Sequence, residues 1–143
     1  MNKEEIIRHY KTLLPCEQYV PTGSYALMRM GLVNRSDDID IVLVNPTQET
    51  RDTLARLEKE YPAKTTGSGD TTIFMHEDTK IDVFIEKAKI ETLQIDGFEI
   101  SNAKRIINAK KIMGRPKDYI QLLALRKSIL SDEEWSKYIS KYM

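Results

Sequence analysis

Three aspartates stand where aspartate is least expected. Asp38 and Asp40 open the apolar run "DIDIVLV", and Asp82 interrupts "KIDVFIE". Side chains alternate along a strand, so Asp38 and Asp40 share one face while Ile39, Ile41 and Leu43 share the other. Two carboxylates about 7 Å apart on one strand face repel each other unless a cation joins them. Oxygen donors of this kind suit Mg²⁺ or Mn²⁺. Zinc fits poorly, because neither His9 nor His76 is near Asp38 and Asp40 in sequence and Cys16 is the only cysteine. If the strand of Asp82 lies beside that of Asp38 and Asp40, three carboxylates meet at one edge of a sheet. Such a set can hold two metals, typically ~3.5–4 Å apart, that clamp the attacking and leaving oxygens of a phosphoryl displacement. Asp82 also suits proton acceptance from an attacking hydroxyl. Taken singly, each aspartate reads as a strand-end charge or a cap; the chemistry rests on the three together.

The stretch "TGSYALMRMG" supplies a phosphate side. Gly23 permits close backbone approach. Ser24 opens a short helical run, where free N–H groups and the helix dipole favour an anion. Gly-Ser alone is weak evidence, and the chain carries its own control. "TTGSGD", residues 65–70, holds a second Gly-Ser with no helix after it and no Asp-x-Asp downstream, so it reads as a plain loop. Neither stretch has the Gly-Lys-Ser/Thr ending of a P-loop.

These residues must be positioned by a small fold. The 143 residues suit one domain, 1–143, with 41% hydrophobic and 31% charged residues. No apolar run approaches the roughly 20 residues of a membrane span, and the charged N-terminus does not read as a secretory signal. A single cysteine suits a reducing cytoplasm. The net charge of zero hides an asymmetry. Residues 1–100 hold 12 Lys/Arg and 18 Asp/Glu, a net of −6; residues 101–143 hold 10 and 4, a net of +6. The plain reading is two solvated faces that attract; the functional one is an acidic metal-binding half beside a basic half that holds phosphates.

Residues 2–14 read as a helix capped by Asn2 with Glu5, its stripe being Ile6, Ile7, Tyr10, Leu13 and Leu14. A short strand over 17–22, the helical run closed by Gly31, and a strand over 38–44 follow. "NPTQ" predicts a helix with Asn45 as cap, and Leu54, Leu57 and Tyr61 on its inner face. "TTIFMHE" and "KIDVFIE" read as a hairpin about Asp78-Thr79, and "GFEIS" as a last strand. Helices are expected over 102–113 and 117–130. A final one starts at Ser131, with Trp135, Tyr138, Ile139 and Tyr142 on one face, read as core packing or, less simply, a dimer contact. His9, His76 and Cys16 read as ordinary packing or surface residues, and Arg35 as a solvated loop arginine. The fold class is α+β: a mixed β-sheet flanked by helices, with further helices at the C-terminal end.

"GSYALMRMGLVNRSDDIDIVLV" resembles the signature of the nucleotidyltransferase-fold superfamily, that of DNA polymerase beta and the antibiotic nucleotidyltransferases. Gly23, Ser24, Asp38, Asp40 and Asp82 match it in order. "KKIMGRPKDYIQLLAL" is similar to a second motif, found in small bacterial nucleotidyltransferases of the abortive-infection toxin type, with Lys110, Gly114, Arg115, Pro116, Lys117 and Asp118 matching. The resemblance spans about residues 18–125. It implies transfer of a nucleoside monophosphate from an NTP to a hydroxyl with Mg²⁺ (or Mn²⁺), releasing pyrophosphate. By the same resemblance Asp38, Asp40 and Asp82 bind metal and act catalytically, with Asp82 activating the acceptor. Gly23 and Ser24, with Lys110, Arg115 and Lys117, hold the nucleotide's phosphates. For Arg115 and its neighbours a structural reading stands beside that one, since Pro116 suits a helix start and Asp118 its dipole.

Many such proteins carry a large further helical or acceptor-binding domain, whereas here only one more short helix is expected before residue 143. The chain is then a minimal enzyme, a homo-oligomer, or one that needs a partner. The acceptor classes open to it are tRNA, a small molecule or a protein. Two other readings stand beside the enzyme: an antitoxin-type minimal nucleotidyltransferase acting on a partner toxin, and a non-catalytic nucleotide- or partner-binding module. Retention of all three aspartates argues against the last.

Overall fold

The computed structural model describes residues 1–31, 36–102, 105–106, 109 and 112–116. Helix α1 (Lys3–Leu13) begins at the expected capping box. Asn2 Oδ1 accepts from the Glu5 amide at 2.8 Å, and the Glu5 carboxylate accepts from the Asn2 amide at 3.3 Å. Ile6, Ile7, Tyr10 and Leu14 are buried. Leu13 sits at the margin of that stripe at helical spacing and stays 39% exposed.

Strand β1 (Gln18–Thr22) runs directly into helix α2 (Gly23–Arg29), and then come β2 (Ile39–Val44), α3 (Gln48–Glu60), β3 (Thr71–His76) and β4 (Thr79–Glu86). The four strands form one sheet in the order β1-β2-β4-β3. β2 and β4 are parallel; β1 and β3 pair antiparallel at the edges. Parallel neighbours need a long crossover, and α3 with β3 supplies it. Pro21 is tolerated because β1 is an edge strand. A second, two-stranded sheet pairs β5 (Thr92–Ile95) with β6 (Phe98–Ser101). This is the α+β fold with a mixed sheet that the sequence predicts.

One face of the four-stranded sheet makes the main core. Ile39, Ile41 and Leu43 of β2, Ile81 and Val83 of β4, and Phe74 of β3 join the apolar stripes of α1, α2 and α3 and Phe98 and Ile100 of β6. Each such buried side chain contributes about 1.5–3 kcal/mol relative to exposure. The other face carries a smaller cluster of Val20, Val42 and Val44, packed by Phe84 and Ile90. The three aspartates belong to that second face.

Several local expectations are corrected. Thr47, not Asn45, caps α3, accepting from the Thr50 amide at 3.1 Å. Asn45 is already used in closing β2: at φ 47 its amide donates to the Glu86 carbonyl and its side chain to Glu17. Tyr61 is 52% exposed rather than inward, because the chain leaves the helix there, its backbone bonding to Leu57 and Met75. The β3–β4 turn is Glu77-Asp78, with His76 paired to Thr79. β5 is an added strand; its turn, Asp96-Gly97, has both residues at positive φ. Gly67-Ser68 leads into a strand, as its reading as a loop requires. Within the helix expected over 102–113, the described residues Arg105, Ile106, Ala109, Ile112 and Met113 are helical, and Asn102 Oδ1 accepts from the Arg105 amide. Gly114 follows at φ 59. The helices expected over 117–130 and from Ser131, including Trp135, Tyr138, Ile139 and Tyr142, lie outside the described residues.

Candidate functional site

The register of the sheet brings the aspartates together. β2 and β4 run parallel with Asp40 opposite Asp82. Thr22 of β1 lies beyond Asp40, and Ile73 of β3 beyond Asp82. Paired residues on neighbouring strands share a face, so Thr22, Asp40, Asp82 and Ile73 form one row. Continuing the β2–β4 register from Ile39–Ile81 sets Asp38 against Lys80, which forms the next row with Met75.

Lys80 was not anticipated. Its ammonium lies 3.5 Å from Asp38 Oδ2 and 3.7 Å from Asp82 Oδ2. The sequence did hold the signal, since "KID" alternates and puts Lys80 on the face of Asp82. The Asp82 side chain is 15% exposed, and its other oxygen, Oδ1, is buried without a hydrogen-bond partner among the described residues. A buried, unmatched carboxylate oxygen is costly unless a donor or cation meets it.

Gly23 stands at the join of β1 and α2 with φ +65, and a Cβ there would run into the Asp40 carboxylate and come within 3.1 Å of its Cγ. Asp40 thus fills the cradle that glycine leaves. Ser24 Oγ lies 3.1 Å from Ser36 Oγ, and Ser36 donates to the Asp38 carbonyl at 2.9 Å. A chain of two hydroxyls therefore links the start of α2 to the strand entry that carries Asp38. Ser36, 7% exposed, is a second residue the sequence reading missed; a serine in an acidic loop carries no periodic signal.

Gly23, Ser24, Asp38, Asp40 and Asp82 are thus brought to one end of one sheet face. Arg115 is exposed. Lys110 and Lys117, like Arg35 and Asp118, lie outside the described residues. Among the described residues, no three His, Cys, Asp or Glu side chains stand in metal-ligating geometry. The donor chemistry nevertheless fits a hard divalent cation: carboxylate oxygens only, one of them buried and unmatched, beside a glycine that keeps the backbone low. Among the described residues no helix is long and apolar enough to cross a membrane.

No protein-family profile matches the chain, and no curated protein matches its sequence. Solved structures do match in shape. One is a Thermotoga maritima protein assigned as a nucleotidyltransferase, 14% identical, with a TM-score of 0.50 over 90% of this chain and 97% of that one. Another is the aminoglycoside nucleotidyltransferase ANT(2″)-Ia, solved with adenylyl-2″-tobramycin. It is 17% identical, with a TM-score of 0.53 over 99% of this chain and 95% of that one. The chain has the nucleotidyltransferase fold.

Proposed function

We propose that this chain, acting as a single domain over 1–143, transfers a nucleoside monophosphate from an NTP to an acceptor hydroxyl. The observation that carries the reading is the register of β2 and β4, which sets Asp40 beside Asp82 with Asp38 one row away, against the glycine that opens α2. In the reaction the acceptor oxygen bonds to the α-phosphorus, and the bond from that phosphorus to the α,β-bridging oxygen breaks. Pyrophosphate leaves with that electron pair. The hydroxyl proton passes to the carboxylate of Asp82.

Asp38, Asp40 and Asp82 would hold Mg²⁺ or Mn²⁺, which when bound neutralises charge on the phosphoryl oxygens. The chain's own residues do the rest. Gly23 leaves room for the Asp40 carboxylate beside the start of α2, and the Ser24 hydroxyl, steadied by Ser36, donates to the phosphates. Lys110, Arg115 and Lys117 add positive charge for the triphosphate. Positioning of this kind is the main catalytic device available for phosphoryl transfer. ANT(2″)-Ia, similar in fold and in length, was solved with an adenylylated aminoglycoside, and this supports a small-molecule hydroxyl as the first acceptor to try, ahead of tRNA or a protein. A cytoplasmic setting suits the NTP supply.

The test is label transfer. Purified protein is mixed with each α-labelled NTP, Mg²⁺ or Mn²⁺, and an acceptor panel of aminoglycosides, total tRNA and lysate. A labelled product that disappears in Asp38→Asn and in Asp82→Asn is expected. Full transfer by both variants refutes the reading.

A further inference from the structure

The carboxylate site contains a cation of its own. Lys80 projects from β4 two residues before Asp82 and, by register, opposite Asp38. Its ammonium bridges the two carboxylates at 3.5 and 3.7 Å. We propose that Lys80 is the resident counter-ion of this site, standing between Asp38 and Asp82 where a divalent cation would bind, so that metal and lysine compete for the same carboxylates. The inference rests on the metal-dependent reading above and adds to it a residue that sets metal affinity.

Three observations support the competition. A lysine is a compact point charge on a flexible stem, with no fixed fork to lock its partners. Its side chain is 34% exposed, so it can leave without unfolding anything. Its two ion pairs use the Oδ2 oxygens of Asp38 and Asp82, while Asp82 Oδ1 has no hydrogen-bond partner among the described residues. The lysine therefore satisfies only part of the site, and a divalent ion with several oxygen ligands can satisfy more of it. Lys80 is thus a positioning residue: it keeps two neighbouring carboxylates from repelling each other, and it raises the metal concentration needed to replace it.

The experiment measures Mn²⁺ binding without nucleotide, by the loss of free-ion signal in electron paramagnetic resonance. It uses the full chain and three variants: Lys80→Met, Lys80→Gln and Lys80→Met/Asp38→Asn. Both ion pairs are partly exposed and each is weak, so removing them is expected to tighten Mn²⁺ binding roughly tenfold. Adding Asp38→Asn should abolish the gain. Thermal unfolding gives a second reading. In EDTA, Lys80→Met and Lys80→Gln should melt below the wild type, and saturating Mn²⁺ should close that gap. A purely structural lysine would lower the melting temperature equally with and without metal. Unchanged or weaker Mn²⁺ binding in both single variants overturns the proposal, as does the absence of Mn²⁺ binding in every protein. Transfer activity is scored separately. Tightened Mn²⁺ binding in a protein that transfers no nucleotide would sink the enzymatic reading and leave the competition standing.

Discussion

Replacing Gly23 with alanine should cost far more beside Asp40 than without it. Two terms act at this position. Holding a non-glycine residue at φ +65 costs about 1–2 kcal/mol. The added methyl must also displace the Asp40 carboxylate, whose Cγ lies 3.1 Å from the new Cβ, and overpacking of this kind costs about 1–3 kcal/mol. Gly23→Ala in the wild type is therefore expected to lose about 2–5 kcal/mol. In an Asp40→Ala background the carboxylate is gone, and the backbone term of about 1–2 kcal/mol remains with a milder contact to the retained Cβ of residue 40, 3.2 Å away. The coupling between the two sites should then be about 1–3 kcal/mol, large enough to read in a double-mutant cycle. Urea unfolding of the four proteins at neutral pH measures it. Equal losses in both backgrounds would refute the reasoning, because Gly23 would then be present for its backbone angle alone and not for the carboxylate packed against it.

Glu99 should make stability sensitive to acid. Hydrogen bonds from Gln18 and then Thr92 hold its carboxyl below the usual range. Its folded value lies below the unfolded value of about 4.3, so its contribution is complete above that pH and disappears as the pH falls through the folded value. The stability gap between wild type and Glu99→Gln should narrow from pH 6 to pH 3 in urea titrations, and a constant gap would refute the assignment. Two buried tyrosines should behave oppositely. Tyr19 donates to the Ile7 carbonyl at 2.8 Å, so Tyr19→Phe should cost about 1 kcal/mol. The Tyr25 hydroxyl is buried without a partner among the described residues, so Tyr25→Phe should be neutral or stabilising in the same assay.

The sheet and its site were legible because alternation along a strand is a strict rule. Asp38, Asp40 and Asp82 announced their face through the apolar residues on either side, and the register of β2 and β4 joined them. Boundaries were harder, because they depend on contacts remote in sequence. Asn45 is a better cap than Thr47 by type alone, yet its amide and side chain are taken by Glu86 and Glu17, forty-one and twenty-eight residues away. β5 was missed although Asp96-Gly97 is a strong hairpin signal and Thr92–Ile95 alternates polar with apolar, because the strand is only four residues long and none of its side chains is buried. Ser36 was invisible for a different reason: its role is a hydroxyl contact with Ser24, and only the fold creates it.

Lys80 connects the legible part to the illegible part. The same alternation that exposes Asp82 exposes Lys80, but a lysine on a strand reads as solvent-facing until its neighbour across the sheet is known. Once β2 lies beside β4, three carboxylates and one ammonium occupy two adjacent rows, and the site carries a net −2. A divalent cation in place of Lys80 would bring the same three carboxylates to −1. With Lys80 alone, the Asp38–Asp82 repulsion is balanced but Asp82 Oδ1 stays unmatched. On the proposed reading, the sequence builds a site that Lys80 makes tolerable without metal and that a divalent cation would complete. An apolar residue at position 80 would leave the carboxylates unopposed during folding, and a second acid there would deepen the repulsion. Lysine is long enough to reach both aspartates and flexible enough to give way, which arginine, with a planar fork that binds carboxylates in pairs of bonds, would do less readily.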